Sequence, residues 1–276
     1  MHEFFERLDN AFGMIKADTK WKTYTINAVK LLGVNKVVEA HIPKFNADAQ
    51  APLTAEKLSA ERGVTVTAEE VKAEWARKGK ISTELGTQVH SYIEASMANK
   101  FYRYDEHAVK GAFPGEEEED PVRDRYTRIV LQVDNFRESI RGKLIPVASE
   151  QVIGSPKYMV CGIVDQIFWN KKANEFQIWD WKTNEKFTLD SQYKFNPPFG
   201  HLANCDYHKY SLQLCMYKHL FMEATGIPIG KCYICWFSSD AAAQQMFPVQ
   251  DFSDEVKQML AMRAQTLGIV DQGSVF

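Results

Sequence analysis

The sequence contains no run of eighteen or more apolar residues, so no segment reads as a bilayer-spanning helix. Its first twenty residues, MHEFFERLDNAFGMIKADTK, alternate charged and apolar side chains. They lack the uninterrupted apolar stretch of a secretory signal, and the start reads as that of a mature cytosolic protein. Cysteine is scarce and odd in number, five in 276 residues. Without a secretion signal this predicts reduced thiols rather than a disulfide framework. Neither an internal repeat nor a low-complexity linker is present. A dominant charge is missing too, with 33 Lys+Arg against 36 Asp+Glu and a net charge of −3. That speaks against a protein that coats nucleic acid by bulk charge. It leaves open a local basic groove, because average charge does not report the field inside a cleft. No Ser/His/Asp or Cys/His arrangement for nucleophilic catalysis stands out.

What is present is an ordinary globular balance, 45% hydrophobic and 25% charged residues, in a chain long enough for one core and an appended lobe. The N-terminal third predicts a hairpin from residues 23–26 and 31–34 and helices at 37–42 and 53–62. A further helix starts at Thr67 and runs through Val71 and Trp75, and another follows Gly86 over 87–98. Residues 111–120, GAFPGEEEED, read as a solvated loop. Asp120 and Pro121 then read as the N-cap and first residue of a helix. In that helix Ile129, Val133, Phe136 and Ile140 recur at helical spacing. Three strands follow at 145–153, 158–169 and 175–183, with the polar turn NKKAN between the last two. A helix at 210–225 ends on Gly226, the apolar run KCYICWF is a strand, and residues 254–267 close as a helix. The order predicts an α/β protein with a central mixed sheet flanked by helices.

Within IWDWKT, side chains two apart share a strand face. Asp180 and Lys182 therefore project together, opposite Trp179 and Trp181. A carboxylate beside an ammonium suits phosphoryl chemistry, one holding a hard cation and the other orienting or deprotonating water, although a surface ion pair gives the same pattern. In GIVDQIFW, Asp165 interrupts an apolar run, where an unpaired carboxylate is costly. Pairing across the turn would bring it near Asp180, and either a metal or a lysine could compensate it. In GTQVHSYIE, His90 and Glu94 lie one turn apart. His90 reads either as a ligand that Glu94 orients or as a half-buried core residue. Glu150, on the first strand, reads either as a site acid or as a solvated charge.

In their joint order, GTQVHSYIE, Glu150, GIVD, DWKT and then Gln213 with Tyr217 resemble the RecB-type branch of the PD-(D/E)xK nuclease superfamily, which includes phage exonucleases and the mitochondrial genome maintenance exonuclease. The resemblance covers about residues 86 to 237. It implies a restriction-endonuclease-like core at 86–276, preceded by a mainly helical extension at 1–85. It implies that Asp165, Asp180, His90 and the main-chain carbonyl of Trp181 hold one or two Mg²⁺ or Mn²⁺ ions. Lys182 would meet the scissile phosphate or the attacking water, with Glu150 a further catalytic acid. Gln213 and Tyr217 would brace the site or touch the DNA backbone, and Thr183 and Lys186 would lie with them against the substrate. Asp180 stands where many superfamily members have Glu; the RecB-type branch commonly has Asp. Some members carry an iron–sulfur cluster. None is expected here, because no cysteine precedes His90 and Cys232 and Cys235 face opposite sides of a strand.

The resemblance further implies hydrolysis of DNA, most readily at single- or double-stranded ends. The setting would be recombination, repair or replication, in the cytoplasm of a bacterial or phage-infected cell, with a recombination or replication protein as partner and no membrane. A structure-specific endonuclease and a catalytically silent DNA-binding subunit are the alternatives. A metalloenzyme using His90 and two aspartates would leave Lys182 without a role. Between the last metal strand and the Gln213 helix, residues 184–209 interleave Tyr193, Phe195, Phe199 and Tyr207 with Lys186, Lys194 and Lys209. They read either as a platform for stacking bases or as a loop packed by its own rings. Arg77, Lys78 and Lys80 form a basic cluster suited to phosphate contacts or to a solvated helix end.

Overall fold

The computed structural model describes residues 2–18, 23–115 and 119–268. Glutamates 116–118 of the expected solvated loop lie outside the described residues. Within them the chain forms eight helices and eight strands. The first is α1 (His2–Phe12), with Phe4, Leu8 and Phe12 buried on one face. A meander of β1 (Lys16–Asp18), β2 (Thr23–Ile26) and β3 (Val29–Gly33) follows. Asn27 and Ala28 turn β2 into β3 with φ of 49° and 65°, the pair of left-handed residues that suits a right-twisted hairpin.

Then come α2 (Val34–Glu39), α3 (Ala47–Arg62) and α4 (Ala68–Met97). Asn46 caps α3 through Ala49 N–H, and Gly63 ends it in the left-handed region. Thr67 and Glu70 form a reciprocal capping box on α4. The two helices expected on either side of Gly86 are one, and the expected boundary between 85 and 86 falls inside it. Gly86 does not break the helix because it is a packing residue. A Cβ there would lie 3.4 Å from Thr183 Oγ1, so glycine lets α4 pass close to the end of a strand.

Next are α5 (Glu106–Ala112) and α6 (Arg123–Ile140). Helix α6 begins two residues after the expected start at Pro121. Asp120 still accepts from the Val122 and Arg123 N–H groups, both at 3.0 Å. The remaining elements are β4 (Leu144–Ser155), β5 (Val160–Asn170), β6 (Glu175–Lys182), α7 (Asp206–Thr225), β7 (Ile229–Trp236), β8 (Gln245–Pro248) and α8 (Ser253–Thr266). Among the described residues no helix is long and apolar enough to cross a membrane.

The strands join in one mixed sheet of order β1-β2-β3-β5-β6-β7-β8, with β4 paired to β5. Helices cover both faces. Apolar residues of α1, α2, α7 and α8 pack on Ile153, Ile167, Ile178 and Ile234. On the other face α4, α5 and α6 pack on Phe168, Trp179, Trp181, Cys235 and Phe237. This is the layered α/β architecture of a restriction-endonuclease-like fold. The first half of α4 instead meets α3 in a small separate core of Ala51, Ala55 and Val71.

One irregularity positions the site. β4 occupies one edge of β5 from end to end. The other edge is shared: β3 pairs with Val160 and Cys161, and β6 pairs from Asn170 back to Gln166. Residues 162–165 lie between, with no ladder partner on that side. The next pair in the β5–β6 register is Asp165 with Asp180, and there the two strands part.

Candidate active site

The fork frees backbone groups that need partners. Trp181 N–H donates to Asp165 Oδ2 at 2.7 Å, so a carboxylate replaces the missing ladder bond. His90 enters from α4. Its Nε2 lies 3.1 Å from the Trp181 carbonyl oxygen and its Nδ1 lies 3.5 Å from Asp165 Oδ1. The carbonyl that the resemblance offers to a metal is therefore faced by His90. Asp180 and Lys182 leave β6 on the α7 side, with Lys182 Nζ 2.7 Å from Asp180 Oδ2 and 4.4 Å above the Tyr210 ring.

Glu150 joins from β4, opposite Asp165. Its φ of 48° is left-handed, a strained conformation for a non-glycine residue inside a strand, which re-aims the side chain. His90, Glu150 and Asp165 then bring candidate ligand atoms within 4.8 Å of one another. Asp180 stands beside that trio rather than in it. Its Oδ2 is buried, and the Lys182 ammonium is the group that faces it, at 2.7 Å. Oxygen and nitrogen donors of His90, Glu150 and Asp165, converging beside a second buried carboxylate, fit a hard divalent cation.

A model of the PD-(D/E)XK nuclease superfamily matches residues 59–269. The chain belongs to that superfamily. No curated protein matches it in sequence. Among solved structures, a candidate exonuclease from Eubacterium rectale is 14% identical with a TM-score of 0.43, covering 69% of each chain. The protein SSO0001 is 14% identical with a TM-score of 0.29, over 67% of this chain and 74% of its own. The assignment rests on the family match, not on these distant likenesses. The match leaves α1, the β1–β3 meander, α2 and most of α3 outside.

Electrostatics divide this nuclease's acids into two kinds. Burial disfavours charge on Asp165, but His90, Lys182 and the Trp181 N–H outweigh it and hold the carboxyl below its ordinary value. Burial also opposes charge on His90, and the facing Asp165 reverses this and raises it. Glu150 is pushed up to about 7 by burial, with the Asp165 charge adding and His90 opposing. Asp180 is raised to about 6 by burial, against the pull of Lys182. Lys182 resists burial because Asp180 and Asp165 raise it above the usual lysine range.

Of the residues expected against substrate, Gln213 and Tyr217 do meet behind the site, Gln213 Nε2 donating to the Tyr217 hydroxyl at 3.4 Å. Tyr217 fits there because residue 162 is glycine. A Cβ on it would fall 2.6 Å from the Tyr217 hydroxyl oxygen. Thr183 is buried against α4 at Gly86, one turn before His90. Lys186 is exposed, with no hydrogen bond or ion pair from its side chain to the site among the described residues. Tyr210 was not singled out from the sequence, yet Tyr210, Gln213 and Tyr217 repeat at i, i+3 and i+7 on one face of α7. Phe195 and Phe199, offered as base-stacking rings, are buried in the core at 3% and 0% exposure. Arg77, Lys78 and Lys80 sit on the first half of α4, where Lys78 pairs with Glu74. Cys232 and Cys235 pack into different cores on opposite faces of β7.

Beside Lys182 opens a cleft of about 930 Å³. Tyr210, Gln213 and Lys209 of α7 form one side, and residues 35–45, from α2 and the chain after it, form the other.

Proposed function

We propose that this superfamily member is a Mg²⁺- or Mn²⁺-dependent nuclease that hydrolyses DNA phosphodiester bonds, acting at ends. The observation that carries the reading is the convergence of His90, Glu150 and Asp165 with the Asp180–Lys182 pair at the β5–β6 fork. His90, Glu150 and Asp165 would hold the cation, with Asp180 completing its surroundings. Bound there, such an ion supplies charge against the scissile phosphate and acidifies water.

The chain's own groups divide the remaining work. In the metal-free chain Asp180 and Asp165 outweigh burial and keep Lys182 protonated. It is a cation positioned to meet the phosphate or the attacking water. The Tyr210 ring beneath it and Asp180 beside it fix where that charge sits. Glu150, raised to about 7 by burial, shares a proton with solvent near neutrality when no cation is present, and cation binding would favour its release. Gln213 and Tyr217 brace the floor. End-directed action draws on the RecB-type order of motifs, and with it a setting in recombination, repair or replication inside a bacterial or phage-infected cell, alongside a partner from one of those pathways.

The test is to incubate the chain with Mg²⁺ or Mn²⁺ and matched linear and circular DNA, single- and double-stranded, beside an Asp165→Ala control. Shortening of linear DNA with circles intact is the expected result. Nicked circles would point instead to an endonuclease of the same fold. No cleavage of any substrate, with no cation binding by calorimetry, would overturn the nuclease reading.

A further inference from the structure

The geometry points to the cleft beside Lys182 as a track for single-stranded nucleic acid, with the chain around α2 supplying its outer wall. The inference rests on the nuclease reading for its choice of polymer, and everything else in it comes from the cleft. The first observation is charge. Lys36, Lys44, Lys182 and Lys209 line the cleft against a single acid, Glu39. The whole chain carries a net charge of −3, so the sign reverses where the candidate catalytic lysine lies. Lys36 is tied to Glu39 and Lys209 to Asp206, while Lys44 is exposed with no acidic partner among the described residues. A polyanion tracking this side meets a cation free to pair with it.

The second observation is Phe45. Its ring is 70% exposed at the cleft wall and is braced edge-on by Trp75 at 5.4 Å. A large exposed aromatic beside cations offers a stacking face to an unpaired base. Along a duplex the bases are already stacked on each other, so a strand running past the ring can use that face only where it is unpaired. This is what commits the cleft to a single strand. The third observation is that the wall is held in place. The His41 ring packs against Phe199 at 4.8 Å, and Asn196 N–H donates to the His41 carbonyl at 2.8 Å. The buried rings of residues 184–205 thus support the wall instead of touching bases themselves. The wall lies outside residues 59–269 matched to the superfamily, so strand preference would be set by a part of the chain that the superfamily match does not include.

The experiment measures binding without cleavage. Fluorescently labelled single-stranded and blunt duplex oligonucleotides are titrated with the full chain in a chelator and read by anisotropy across a salt series. Wild type is expected to favour the single strand. Phe45→Ala should weaken single-strand binding about tenfold and leave duplex binding alone, with Phe45→Trp restoring it. Lys36→Ala with Lys44→Ala should reduce the salt slope by roughly one. All these side chains are exposed, so folding is not at stake. Equal or tighter duplex binding, or a Phe45→Ala chain that binds single strands like wild type, would overturn the track. Wild type that cleaves DNA while Phe45→Ala binds normally removes the track and leaves the nuclease. Wild type that binds single strands through Phe45 but cleaves nothing removes the nuclease and leaves the track.

Discussion

The two faces of β6 are one residue apart and do opposite things. Trp179 and Trp181 turn into a dry aromatic layer with Phe136, Phe168 and Phe237, their ring centroids 5.6 to 6.3 Å from neighbouring rings across the layer. Asp180 and Lys182 turn the other way into charge. The aromatic face is stabilised by being filled, whereas the charged face is held against its own preference, Asp180 raised by burial. Rigidity on one side allows strain on the other. A strand anchored by two tryptophans cannot slide to bring the buried Asp180 carboxylate into water.

The comparison can be broken from either side. The largest effect is expected from Asp180→Asn, which keeps the shape and removes the charge. Cleavage should fall by about a thousandfold or more, while thermal unfolding of the metal-free chain stays level or moves up. A large drop in melting temperature would mean that the Asp180–Lys182 pair holds the fold together. Phe136→Ala attacks the other face and should cost about 3–5 kcal/mol of stability in denaturant titrations. If it lost less than about 1 kcal/mol, the aromatic layer would not be the anchor described.

The smallest effect, and the one that sharpens the contrast most, is the pH profile of the metal-free chain. Glu150 is raised from 4.5 to about 7 and Asp180 from 3.8 to about 6. Groups raised on folding add stability below their unfolded values and lose it as pH climbs through the folded ones. His90, raised from 6.5, acts in the same direction above that pH. Asp165 is lowered and acts only in acid. The melting temperature should therefore fall between about pH 4 and pH 7, and Glu150→Gln should flatten the upper part of the decline. Saturating Mg²⁺ should stabilise most at the alkaline end, where the ligands are free of protons. A flat profile in chelator would sink this account of the charged face.

Much of the β6 contrast was legible in the sequence, because a period of two needs only neighbouring residues to be read. Asp165 inside GIVDQIFW and the polar NKKAN turn placed the second acid by the same local logic. What escaped depends on distant chain. The parting of β5 and β6 after Gln166 leaves an edge whose far end pairs with β3, and no local pattern encodes a shared edge. The left-handed turn at Glu150 sits on an ordinary glutamate with no glycine to announce it, so Glu150 could not be raised above the solvated reading. Gly86 was read as a break when it marks a close approach. The rings at 195 and 199 were read as exposed or self-packed, but their environment is set by α2 and the wall at residues 40–45, far earlier in the sequence. Helix α1 was readable from Phe4, Leu8 and Phe12, and the charges between them masked it.

The continuity of α4 constrains how this chain can change over generations. The helix is 30 residues long, a rod of about 45 Å, joining the α3 hairpin at one end to His90 near the other. Adding or deleting one residue between Ala68 and Leu85 would swing the hairpin by about 100° around the rod axis relative to the sheet. The same change in residues 63–66, before the capping box, is absorbed by a turn. Length variation among descendants of this sequence should therefore collect in that turn, while the span from Thr67 to His90 keeps its count.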